Sequence, residues 1–372
     1  MLNNLFFQFL SISNFFLNMY FVYILFFFEK FNFSSQGFIL ISLVSFFTLG
    51  MSANNRNIYL GSIRSFDLNK ILNFRIYYGI FTIILSFFLS FLFIKENNYL
   101  FVFVIILISV LSWIIELLIS NTEKKNELNY IHLISNIILI ILLPILVLNN
   151  YFIQSLIFLS LISLINIFSY KYIYKLKLNY KLINLKLILN IGILSTLIKT
   201  FCNFLWRILI YLNVESIYAS ILFISFSLGS FVGTIFDISY GAYFLKKIKY
   251  KFLLLNSFFV FYLCTVIILI LIFNLNVDLD NPENLLLYKS TIASLAGGYF
   301  VLMTLKIRQS YFDIKNNNAY LYKIDIISYL FNILLVITII FYDKNYLYLT
   351  YLISSLFFYI LYKFINVPLK KN

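Results

Sequence analysis

Twelve runs of about 20 apolar residues, separated by short polar segments, leave this chain few ways to fold, because a helix of that length is what a bilayer core of roughly 30 Å requires. The runs fall at 5–28, 37–55, 76–94, 99–119, 130–148, 151–170, 188–212, 216–236, 252–273, 289–305, 321–342 and 346–365. Hydrophobic residues make up 62% of the 372 and the mean hydropathy is +0.95, far above the roughly 45–50% apolar content of soluble domains. The pattern reads as an all-α, polytopic membrane protein of about twelve transmembrane helices. The first run lacks a basic flank and a small-residue cleavage site, so it is expected to be a permanent helix and not a removable signal.

Basic residues retained in cytoplasmic loops set the orientation. Twenty-two of the 28 Lys and Arg residues, Arg75 among them, fall in segments on one side of the alternation, and the other side holds Lys30, Lys95, Lys289 and Lys344. That bias places both termini in the cytoplasm and the chain in the cytoplasmic (inner) membrane. It also accounts for the net charge of +14, so no nucleic-acid partner is implied. The segment "YKYIYKLKLNYKLINLK" carries five lysines and reads as a surface-lying link. It divides the chain into a six-helix bundle at 1–170, a basic linker at 171–187 and a second six-helix bundle at 188–372.

Two basic residues belong to neither side. Lys199 and Arg207 lie inside the seventh run with Asn203 between them, and the i, i+4, i+8 spacing puts the three on one helix face. A cation at mid-membrane costs about 2.5–3.5 kcal/mol even on the mildest scale. Two readings follow: a structural ion pair between Lys199 and Glu116, the acid lying inside the fourth run, or a water-filled cavity whose positive charge receives an anionic substrate. Other polar groups take plainer expectations: solvation at the interface for Asp237 and Asp325, a surface position for His132, and close helix packing for Gly229 and Gly233. Cys202 and Cys264 are expected as buried thiols. With one histidine a multi-His metal site is ruled out, and neither metal nor cofactor is expected.

Two stretches carry a family resemblance. "FFTLGMSANNRNIYLGS" (47–62), with Gly50, Ser52, Ala53 and Arg56, and "LWRILIYLNVESIYASILFISFSLGSF" (205–231), with Tyr218-Ala219 opening a helix, resemble the polysaccharide and O-antigen flippases of the MATE-like multidrug/oligosaccharidyl-lipid/polysaccharide exporter superfamily. The resemblance implies two bundles around an alternating-access cavity that accepts a polyprenyl-pyrophosphate-linked glycan. It further implies substrate-binding roles for Lys199, Arg207, Asn203 and Arg56, and work alongside a glycan polymerase and glycosyltransferases. Glu116 is the candidate for exchanging a coupling proton or sodium ion.

The function expected is therefore transport of a lipid-linked anionic glycan across the bilayer, with no catalytic residues. A multidrug or cation exporter would favour acids in its cavity, where this chain has two cations and one acid. A membrane glycan polymerase or glycosyltransferase would need carboxylates gathered at one membrane face. The outer cluster of Asp278, Asp280 and Glu283 sits beside Asn281-Pro282, where a solvated turn is the simpler reading.

Overall fold

A computed structural model describes residues 2–52, 68–94, 98–176, 193–246, 281–311 and 319–364. Regular structure among the described residues is helical throughout: α1 (Leu2–Phe27), α2 (Phe31–Ser52), α3 (Leu68–Ser90), α4 (Tyr99–Lys125), α5 (Tyr130–Leu148), α6 (Phe152–Phe168), the short α7 (Lys171–Lys175), α8 (Ile193–Asn213), α9 (Ser216–Lys246), α10 (Pro282–Tyr311), α11 (Ala319–Tyr342), a 3-10 turn at Lys344–Leu349 and α12 (Thr350–Phe364). The long helices coincide with eleven of the expected runs. The run at 252–273, residues 177–187 of the link, Arg56, Cys264, Asp278, Asp280 and the side chain of Asp237 lie outside the described residues. Among the described residues, eight helical segments are long and apolar enough to cross a bilayer, while α6 and the Ser216–Phe231 part of α9 are apolar but shorter. The protein is an all-α polytopic membrane protein.

With only 10 glycines in the chain, other residues take the left-handed turns that close its hairpins. Glu29 (φ 59) follows α1, and Asn126 (φ 58) and Asn150 (φ 60) follow α4 and α5; asparagine tolerates this region better than most side chains do. Asn98 and Asn129 cap the starts of α4 and α5, accepting from the backbone N–H of Phe101 at 3.1 Å and of His132 at 3.2 Å. Lys124 and Lys125 end α4, where cations suit the helix dipole.

The chain divides into two compact units, Met1–Phe204 and Leu205–Asn372. In the first, α4 is the central helix, packing on α1, α2, α3 and α6 through buried Phe101, Ile105, Ile108, Ile115 and Leu118. The outer faces of α5 and α6 present Ile131, Ile134, Ile141, Ile153 and Leu161, a surface fit for lipid and costly in water.

Inside this unit the helices are joined by polar side chains. Asn14 and Ser112 bond reciprocally across α1 and α4, each side chain to the other's carbonyl, at 3.0 and 2.8 Å. Asn18 donates to Ser109 at 3.3 Å. Asn166 of α6 donates to Asn136 of α5 at 2.8 Å, and Asn136 donates to Ser13 of α1 at 2.9 Å. Lipid offers these groups no alternative partner, so such bonds hold helices together where hydrophobicity cannot.

Pro144 within α5 cannot donate to the carbonyl of Ile140, one turn earlier. Tyr20 of α1 supplies the missing donor, its hydroxyl lying 2.8 Å from that oxygen. A membrane helix tolerates proline where a neighbour satisfies the freed carbonyl, and Tyr20 is that neighbour.

In the second unit α10 packs closely on α9 and α12, and glycines allow the approach. A Cβ on Gly229 would overlap the carbonyl of Ser294, and one on Gly297 would lie 2.6 Å from the Tyr351 ring. Gly233, where a Cβ would sit 3.0 Å from Val301, meets the packing expectation. Lys344 reaches back to donate to the carbonyl of Asn213, the last residue of α8, at 2.8 Å.

Two of the plainer expectations are corrected. His132 is fully buried, its Nδ1 2.6 Å from the Tyr170 hydroxyl. Asp325 is buried among Ile324, Tyr362 and Phe358, and accepts from the Tyr362 hydroxyl at 2.6 Å.

Candidate functional site

The expected cationic residues lie on α8, a continuous helix from Ile193 to Asn213. Cys202, Phe204, Trp206 and Ile210 are buried, while Lys199 and Asn203 are exposed and Arg207 is half-buried. The helix is therefore two-faced as its spacing predicts.

Of the two readings for Lys199, the ion pair with Glu116 is not among the pairs of the described residues. Glu116 is paired with Arg75 instead, Nη1 to Oε2 at 3.1 Å. Arg75 had been assigned to a cytoplasmic segment, but α3 begins at Leu68, eight residues before the expected start at 76, and carries Arg75 into the interior of the unit. Its side chain is 1% exposed against 32% for Glu116.

Three groups compensate the buried guanidinium. Nη1 also donates to the carbonyl of Trp113, and the guanidinium carbon lies 4.8 Å above the Trp113 ring, within reach of a cation–π attraction. A charge so placed is retained only when paired and hydrogen-bonded. The signal for the pair was present in the sequence: Arg75 and Glu116 are nearly equidistant from the polar segment 95–98 that joins α3 to α4, so an antiparallel hairpin brings them to one depth.

No group of three or more His, Cys, Asp or Glu side chains suited to a metal occurs among the described residues. Neither Asp325 with Tyr362 nor His132 with Tyr170 could have been paired from spacing, since each partner lies on a different element at a separation no motif marks.

The arrangement places polar and charged groups inside a bundle of apolar helices long enough to span a bilayer. No family model matches the sequence, and no curated protein matches it. Among solved structures the fold matches the lipid II flippase MurJ in its inward closed conformation, with a TM-score of 0.55 and 19% identity over 95% of this chain and 86% of that one. The likeness is one of fold.

Proposed function

We propose that the chain is a flippase that moves a polyprenyl-pyrophosphate-linked oligosaccharide from the inner to the outer leaflet of the cytoplasmic membrane by alternating access, for surface polysaccharide biosynthesis. The observation that carries the reading is the fold likeness to a lipid-linked-precursor flippase along nearly the whole chain. In this reading the halves 1–170 and 188–372 rock about the basic link. Lys199, Asn203 and Arg207, with Arg56, receive the pyrophosphate while the lipid tail stays in the bilayer. The lysine and asparagine are exposed along one helix face, which suits a group that must bind and release. Glu116 keeps the ion-exchange role, its carboxylate one-third exposed.

The test is leaflet exchange of a fluorescent polyprenyl-pyrophosphate oligosaccharide in proteoliposomes. Exchange by the unaltered protein, lost in folded Lys199→Ala and Arg207→Ala, is the expected result. No exchange by the unaltered protein would overturn the reading, and exchange indifferent to both substitutions would remove these residues from it. Ion-dependent exchange unchanged by Glu116→Gln would withdraw the coupling role.

A further inference from the structure

Arg75 uses only part of its guanidinium. Nη1 is committed to Glu116 and to the Trp113 carbonyl. Nε and Nη2 are both buried and make no hydrogen bond among the described residues. Their N–H bonds point the same way along one edge of the planar group, and that edge grips two oxygens of a carboxylate or phosphate side by side. Trp113, whose ring the guanidinium covers, also has its indole N–H buried without a partner among the described residues.

Nε carries one N–H and Nη2 two, so three buried N–H donors lie on the unused side of the guanidinium. One water molecule accepts two hydrogen bonds, too few for all three, whereas an oxyanion has lone pairs for each. Nε and Nη2 are sealed against even a water-sized probe, while Glu116 on the same guanidinium is 32% exposed. Glu116 thus reaches the surface of the unit, while the unused edge of Arg75 is closed off.

We propose that the Nε/Nη2 edge of Arg75 is a binding site for a two-oxygen anionic group, phosphoryl or carboxylate, uncovered when α3 and α4 part at their Glu116 end. The inference rests on the transporter reading in one respect and adds to it: beside the rocking of the two halves, it requires a state in which α3 and α4, both inside the first half, part and the sealed edge is reached. In that state the incoming anion takes the side-on edge and Glu116 keeps or yields Nη1.

The chain has two tryptophans, so Trp206→Phe leaves Trp113 as the sole indole reporter, directly against the guanidinium. The full-length protein in nanodiscs is titrated with inorganic pyrophosphate and, separately, with acetate, each against chloride at constant ionic strength. A saturable change in Trp113 emission is expected in at least one arm, and the arm that responds identifies the group. Arg75→Lys, which keeps the charge and loses the fork, is expected to abolish it. Glu116→Gln removes a negative charge a few ångströms from the anion and is expected to lower the half-saturating concentration about tenfold or more. No response in either arm, with or without Glu116→Gln, would overturn the proposal; so would a response that survives Arg75→Lys. Should Arg75→Lys fail to fold, a half-saturation unmoved or raised by Glu116→Gln is decisive against it. Because the readout is binding of a free ion, a protein that flips lipid without this response refutes the site alone, and one that responds without flipping refutes the transport reading alone.

Discussion

The Arg75–Glu116 pair makes an asymmetric prediction about stability. Replacing Glu116 with leucine leaves the Arg75 guanidinium, 1% exposed, without a counter-charge, and breaking a buried pair in this way costs about 3–5 kcal/mol. Replacing Arg75 with methionine leaves a carboxylate that is one-third exposed and can hydrate. Methionine also keeps much of the stem volume against the Trp113 ring, so the loss should be limited to about 1–2 kcal/mol. The double substitution Arg75→Met with Glu116→Leu removes both charges and should return to within about 1 kcal/mol of the unaltered protein, or exceed it, as apolar replacements of buried pairs do. The assay is reversible unfolding in mixed micelles, followed by helical circular dichroism across the four members of the cycle. An Arg75→Met loss equal to or larger than that of Glu116→Leu would refute the burial argument, and a double variant whose loss is the sum of the two would refute the pairing itself.

Other contacts give sharper single-site outcomes. Tyr20→Phe should destabilise by about 1 kcal/mol, by stranding the Ile140 carbonyl that Pro144 cannot serve; combined with Pro144→Leu the loss should disappear, and a loss that persists would detach the tyrosine from the proline. Gly229→Ala pushes a methyl against the Ser294 backbone and should cost about 2 kcal/mol or more in thermal unfolding, whereas Gly233→Ala, meeting methyl groups of the Val301 and Leu305 side chains, should cost less; the reverse order would contradict the packing. Tyr170→Phe removes the hydrogen-bond partner of buried His132 and should cost about 1–3 kcal/mol, with the additional His132→Phe restoring part of it. An undiminished loss in that pair would show that the phenol serves something other than the imidazole.

The run at 130–148 was legible to the residue, since Asn129 caps it and an apolar stretch follows without a charge until its end. The start of α3 was not. Trimming a span at its last charge assumes that charges stay in water, and Arg75 violates that assumption because Glu116 and Trp113 wait for it on the next helix. The same reasoning misplaced Asp325 and His132, whose partners Tyr362 and Tyr170 become neighbours only through packing. The cationic face of α8 follows directly from a spacing of four, and the structure keeps its two faces distinct. The Glu116 pairing depended on knowing which of several cations reaches its depth, and hairpin symmetry about 95–98 was the one available clue.

The polar seam of the first unit also bears on how the chain is made. Asn14 and Asn18 find their partners in Ser112 and Ser109, 98 and 91 residues later, so α1 leaves the ribosome long before anything can satisfy those amides. Asn136 and Asn166 are only 30 residues apart on consecutive helices and can pair as the α5–α6 hairpin emerges. The order of synthesis therefore treats the two sets of bonds differently: the α5–α6 hairpin can form its Asn166–Asn136 bond as it emerges and needs from α1 only Ser13, already made, while Asn14 and Asn18 of α1 wait for α4.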